Sequence, residues 1–195
     1  MKAKKLERAL KNAASQSSTR PILQCVHYDP DGSITATDSH IMLRLDSMHS
    51  LKQPFNLNLQ TFKEIDEAYP DTLHLITDKK ENPTSFQIDL KNIVAALSFL
   101  KALKDEVITL EPLAKNQKGI ILKTKTQSYL LPVEEFNGDL KKISVTADNL
   151  FKCFQFYGDY LTHEQTVQVY CYGKFEPILF KSGKSTYLVT SVAVF

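Results

Sequence analysis

The chain has 195 residues, 43% of them hydrophobic, and its 24 Lys and Arg nearly cancel 22 Asp and Glu to leave a net charge of +2. That length can bury a real core, as one domain or two small ones. The charge balance excludes a global field strong enough to hold nucleic acid or an anionic membrane, so any contact with a polyanion must be local. No stretch nears the roughly 20 apolar residues that cross a bilayer. Charges interrupt the basic N-terminus MKAKKLERALKNAASQ before an apolar signal core forms. Three cysteines without CxxC spacing, Cys25, Cys153 and Cys171, read as buried free thiols. Together these features predict an intracellular, cytoplasmic protein.

In chain order, residues 4–14 place Leu6, Ala9, Leu10 and Ala13 at helical spacing, with Lys4, Lys5, Arg8 and Lys11 on the opposite face. The Ser-rich SQSST ends that helix. PILQCVHY reads as a strand with Pro21 at its start, Asp29-Pro30-Asp31-Gly32 as a turn, and SITATD and IMLRL as two further strands. Signals weaken next: FNLNLQTF alternates like a strand, FKEIDEAY has room for one or two helical turns, and DTLHLI alternates again. KKENPTS has the composition of an exposed linker and is the best candidate boundary.

Beyond that boundary a pattern repeats. SFQID is a strand, LKNIVAALSFLKAL a helix with Leu90, Val94, Leu97 and Lys101 on its rows, and EVITLEPL, GIILKTK and SYLLPV are strands. The unit restarts after EEFNGD, with KISVT as a strand, ADNLFKCFQFYGDYL as a helix, and TVQVYCYG, FEPILF and STYLVTSVAVF as strands. Each helix has one apolar side, which predicts an α+β fold with helices packed on one face of antiparallel sheets.

Candidate chemistry is sparse. Asp38, Ser39 and His40 suggest a nucleophile and base, but neighbours on one strand point to opposite faces, and a triad converges by geometry, not by adjacency. The five histidines form no HxxxH or HxH pattern, so no metal site is expected. Asp29, Asp31 and Ser33 lack the glycine and glutamate of a calcium loop. Gly183-Lys184-Ser185 lacks the upstream glycine and following helix of a phosphate loop, so no cofactor is expected either. The basic face of Lys4, Lys5, Arg8 and Lys11 is the best electrostatic feature, able to neutralise duplex phosphates without reading bases.

Three landmarks resemble one family. Arg20-Pro21-Ile22-Leu23, then Thr37-Asp38-Ser39-His40-Ile41-Met42, then Tyr69-Pro70-Asp71 are similar in order and separation to the middle domain of bacterial sliding clamps, the beta subunit of DNA polymerase III. From Ser85 the order of elements resembles the clamp's last domain. The resemblance implies a truncated clamp: a partial middle-domain unit over 1–68, a linker over 69–84 and a C-terminal-domain-like unit over 85–195. It further implies a non-enzymatic, DNA-clamp-like protein that acts in replication, on duplex DNA without sequence preference and on peptides of polymerases or other replication proteins. Self-association is expected where half-domain strand edges need cover.

By the same resemblance, the peptide groove has Thr37, Ser39, His40, Ile41 and Met42 on one wall, Thr190, Ser191, Val192, Ala193 and Val194 on the other, and Leu23 nearby. Backbone phosphates would meet Lys4, Lys5, Arg8 and Lys11. Departures fall in this groove: Ile41 replaces the family's arginine, Thr190-Ser191 its methionine-proline, and Ala193 its terminal arginine. Loss of cations weakens attraction to acidic ligands. The competing expectation is a regulator that imitates part of a clamp and competes for its partners without binding DNA.

Overall fold

A repeated unit of one helix and three antiparallel strands organises the computed structural model, which describes residues 3–77, 82–103, 106–113, 119–160 and 166–193. The first unit contains α1 (Ala3–Ala13), β1 (Cys25–Tyr28), β2 (Ile34–Thr37) and β3 (Ile41–Leu45). It is followed by β4 (Phe55–Asn58) and the single turn α2 (His74–Thr77). The second contains β5 (Thr84–Asp89), α3 (Leu90–Ala102), β6 (Val107–Pro112), β7 (Gly119–Lys123) and β8 (Ser128–Pro132). After the short β9 (Glu134–Asn137), the third contains β10 (Ile143–Thr146), α4 (Ala147–Tyr160), β11 (Thr166–Cys171), β12 (Ile178–Ser182) and β13 (Ser185–Val189).

The second and third units exchange their first strands: β5 pairs with β11, and β10 pairs with β6. One described sheet therefore runs β10-β6-β7-β8 and the other β4-β1-β2-β3-β13-β12-β11-β5-β9. The larger sheet is nearly palindromic about a seam where β3 and β13 pair antiparallel, from Ile41 opposite Val189 to Leu45 opposite Ser185. Backbone bonds prolong that seam at both ends, with Asp46 N–H donating to Lys184 C=O and Thr190 N–H to His40 C=O, each at 2.9 Å.

Helices α1, α3 and α4 cover one face of these sheets. Ile41, Leu43 and Leu45 meet Tyr187 and Val189 in the same buried core as Leu10 of α1, Leu100 of α3 and Tyr157 of α4. All five side chains of β3 are buried, which explains the lack of alternation in IMLRL: the strand is covered on both faces. Buried Arg44 lies on its outer side, held by Asp31 at 2.5 Å and Asp46 at 3.0 Å.

In α3 the fully buried stripe is Ile93, Ala96 and Leu100. The expected row of Leu90, Val94 and Leu97 flanks it, and Val94 is 49% exposed. Asp89 caps this helix by accepting from Lys91 N–H at 2.9 Å, and the bonds from Lys91 hold its carboxyl below the ordinary aspartate range. Asp89→Ala is expected to lower stability by about 1 kcal/mol in chemical denaturation. That contribution is fully present above the ordinary Asp pKa and fades as pH falls through the folded value.

Local structure departs from the sequence expectations at several places. Pro21–Gln24 forms a 3-10 turn, so the strand begins only at Cys25. Proline at a helical first position loses no backbone bond, and Leu23 C=O is then free to accept from Ser15 N–H at 2.8 Å. FKEIDEAY forms no helix; it folds back on β4, with Ile65 N–H donating to Asn56 C=O. DTLHLI ends in α2 and not in a strand, while Glu134–Asn137 pairs with β5 as an additional edge strand. The three cysteines are free and buried, and burial pushes the Cys171 thiol up to about 12.

Candidate partner-binding site

Thr37-Asp38-Ser39-His40 builds the tight turn between β2 and β3, so Ser39 and His40 stand in a loop and not on a strand as expected. Thr37 Oγ1 donates to Ile41 C=O at 2.6 Å and accepts from Ser39 N–H at 3.1 Å. Asp38 accepts from the backbone N–H groups of His40 and Ile41, both at 2.8 Å. The carboxylate is thus committed to the backbone of the turn. Ser39 has φ of +79°, the left-handed region that the first central residue of one common two-residue hairpin loop requires. Ser39 and His40 project into solvent.

The opposing wall is the chain after β13. Thr190 N–H bonds His40 C=O, and Val192 N–H donates to Ser144 C=O at 2.7 Å, so the segment crosses from the β2–β3 turn to β10. Thr190, Ser191 and Val192 are half-buried and Ala193 is exposed; Val194 lies outside the described residues. Leu23 is buried within the 3-10 turn. The structure therefore brings the exposed rim of the turn and the C-terminal segment into direct contact.

Ile41 and Met42 separate to opposite faces of the sheet. Ile41 is 1% exposed and belongs to the helix-side core. Met42 forms an outer-face cluster with Leu179 and Leu188, against which Leu75 and Ile76 of α2 and the rings of Tyr170 and Tyr172 pack. Sequence reasoning did not assign these last residues to the site. The alternation in STYLV and TVQVYCY marks which of their residues share a face, but the meeting of β3, β12, β13 and α2 is non-local and leaves no spacing signal.

Three of the four cations expected at a phosphate backbone already have anionic partners. On the helix side, Lys5 lies 3.0 Å from Asp159 of α4, and Arg8 donates to the same carboxylate. Lys11 pairs with Glu7 at 2.7 Å. Lys4 has no ion pair among the described residues. A cleft of about 280 Å³ opens between the helices, lined by Asn12 of α1, Lys101 of α3, and Phe151 and Lys152 of α4 among others; Lys152 is paired with Asp148 at 3.0 Å. Among the described residues no group of three His, Cys, Asp or Glu side chains could hold a metal ion. No helix among them is long and apolar enough to cross a membrane.

Neither a protein-family model nor a curated protein sequence matches the chain. Solved structures do. The DNA polymerase sliding clamp of Bacillus subtilis superposes with a TM-score of 0.80 at 17% identity, over 98% of this chain and 62% of the clamp chain. The sliding clamp of Caulobacter crescentus gives 0.76 at 15% identity, over 98% and 64%. The DNA polymerase beta subunit of Streptococcus pyogenes gives 0.74 at 17%, over 97% and 64%. The chain spans less than two thirds of the length of each, and over that span it has the fold of a bacterial DNA polymerase sliding clamp.

Proposed function

We propose that this chain is a non-enzymatic, clamp-like protein-binding module of DNA replication that takes linear peptide segments of polymerases or other replication proteins beside its seam. The observation that carries this reading is the bond from Thr190 N–H to His40 C=O, which joins the β2–β3 turn to the C-terminal segment. Beside that junction lies the outer-face cluster of Met42, Leu179 and Leu188 under α2. An extended peptide gains from such a place by setting apolar anchors against the half-buried Leu75, Ile76, Tyr170 and Tyr172 that pack over the cluster, while its backbone meets the exposed polar groups of the rim. None of these side chains carries a charge, so apolar contacts dominate over attraction to acidic side chains.

The test is fluorescence anisotropy with a labelled clamp-binding peptide of a replicative polymerase. Wild type is expected to bind in the micromolar range. Val192→Asp sets a charge on the half-buried wall and should weaken binding by roughly tenfold with an unchanged circular dichroism spectrum. Absence of wild-type binding, or equal affinity in the folded variant, would sink the groove assignment.

A second reading is favoured by one specific observation. Asp159 holds Lys5 and Arg8 while Glu7 holds Lys11, which leaves the helix face with fewer free cations than its sequence offers. On that reading the chain competes with a full clamp for its partners without binding DNA itself.

A further inference from the structure

We infer, resting on the peptide reading above, that a cavity at the end of β11 is a further subsite of that groove and takes the side chain of a tyrosine flanking the apolar anchors of the client peptide. The cavity has a volume of about 290 Å³ and opens where the starts of β5 and β10 meet the end of β11. That is just below the roughly 300–1,000 Å³ of small-molecule sites, a size that suits one aromatic side chain better than a whole ligand.

Its shape comes from backbone that few residues can adopt. Gly138 has φ of +94°, and a Cβ there would stand 3.0 Å from both Cα and Oγ1 of Thr84. Glycine therefore lets the connection from β9 to β10 lie against the start of β5, where a side chain would hold it off. Asn82, with φ of +61°, turns the chain into β5 in the left-handed region that asparagine tolerates. Asp139 and Lys141 follow Gly138 directly, and that close approach sets them at the cavity.

Two observations make the cavity continuous with the groove. Tyr172 packs on the outer-face cluster of Met42, Leu179 and Leu188 and also lines the cavity. Ile143, another lining residue, is the chain neighbour of Ser144, whose C=O accepts from Val192 N–H of the C-terminal wall. Tyr170 stands opposite Leu179 in the pairing of β11 with β12, and Gly173, at the cavity, comes three residues later. Those three residues span about 10 Å of extended chain. A peptide anchored over the cluster therefore reaches the cavity with a residue about three positions from its anchor.

The lining selects the side chain. Leu140, Ile143 and Cys171 are all buried and give an apolar bed, to which Tyr172 adds a ring. Asp139 and Lys141 are exposed. Neither has an ion pair among the described residues, whereas the adjacent Lys142 is held by Glu111 at 3.0 Å. The cavity thus offers an apolar bed, one anionic acceptor and one cationic donor. A tyrosine matches all three: its ring lies on the bed, while its hydroxyl donates to the Asp139 carboxylate and accepts from the Lys141 ammonium. A phenylalanine gives neither bond, an acidic side chain is repelled by Asp139, and a basic one by Lys141.

Fluorescence anisotropy on the full chain tests this, with the labelled polymerase peptide and two extended forms, each carrying a tyrosine three residues beyond one end of the apolar anchors. One extended form is expected to bind about tenfold tighter than the same peptide with alanine there, and phenylalanine to recover only part of that gain. Gly173→Leu narrows the cavity and should remove the gain while leaving the affinity of the unextended peptide unchanged. A Cβ at Gly173 meets only Glu176 Cγ, at 3.5 Å, so the fold has room for it. A second variant, Asp139→Ala with Lys141→Ala, should keep the contribution of the ring and erase the preference for tyrosine over phenylalanine. As a readout that needs no peptide, p-cresol is expected to shift the methyl NMR signals of Leu140 and Ile143 in wild type and not in Gly173→Leu. The subsite is overturned, and the groove left standing, by an unextended peptide that binds while neither tyrosine form gains, by a gain that persists in folded Gly173→Leu, by an unchanged tyrosine preference in the double variant, or by p-cresol that leaves those signals unmoved. If the unextended peptide does not bind at all, the groove reading fails and the subsite falls with it.

Discussion

Leu43→Ala is expected to lower the free energy of unfolding by about 2–5 kcal/mol, read as a shift of the urea midpoint with an unchanged slope. Leu43 is fully buried, on β3, opposite Ala36 of β2 and Tyr187 of β13. Truncation leaves a hole that the neighbours cannot readily fill. Ala36 is too small, and Tyr187 is packed against Phe156. Nearby, the Tyr157 hydroxyl is tied to Phe180 C=O at 2.6 Å. Because the seam strand contributes to the core of both the N-terminal and C-terminal units, the whole transition should move as one. Val94→Ala, at an exposed helix position, serves as the contrast and should change stability by less than about 0.5 kcal/mol. Two separate transitions in Leu43→Ala would mean that the continuous sheet does not couple the units.

The same seam marks the limit of what the sequence discloses. Helix periodicity located α1, α3 and α4, and the repeated order of helix and strands was legible because each unit must bury a one-sided helix against its own strands. Alternation found β2 and β11, where one face differs in burial from the other or the flanking turn is sharp. It failed for DTLHLI, in which Leu75 and Ile76 are neighbours that both pack on the outer-face cluster while Leu73 stays exposed. It failed too for Glu134–Asn137, an edge segment of mostly exposed side chains in which Phe136 alone reaches the core, stacked on Phe86.

For the candidate site, the Thr-Asp-Ser-His letters located the turn, but their roles follow from its hydrogen bonds. Thr37 and Asp38 shape the loop, and Ser39 and His40 form its rim. Strand alternation separates Ile41 from Met42, but spacing could not indicate that both faces of β3 are covered, nor that Asp159 lies against Lys5 and Arg8. Those pairings link residues from opposite ends of the chain, and local patterns carry no trace of them.

Asp159→Asn is expected to raise affinity for duplex DNA at low salt by roughly an order of magnitude and to steepen the log–log salt dependence by about 2, if the helix face contacts phosphates. In the wild type this one carboxylate holds both Lys5 and Arg8. Both ion pairs are partly solvated, so their loss should cost no more than about 1 kcal/mol each in stability. The gain for DNA is larger because each freed cation can release a counterion from the duplex. Replacing Lys5 and Arg8 together by Gln in the Asp159→Asn background should return the slope to its starting value, which separates their contribution from that of Lys4 and Lys11. Helix dissolution cannot imitate this pattern, because losing α1 would weaken binding and stability together. If Asp159→Asn leaves both affinity and slope unchanged while the chain still captures a polymerase peptide, the helix face is no DNA surface. The competitor reading then replaces the DNA-associated one.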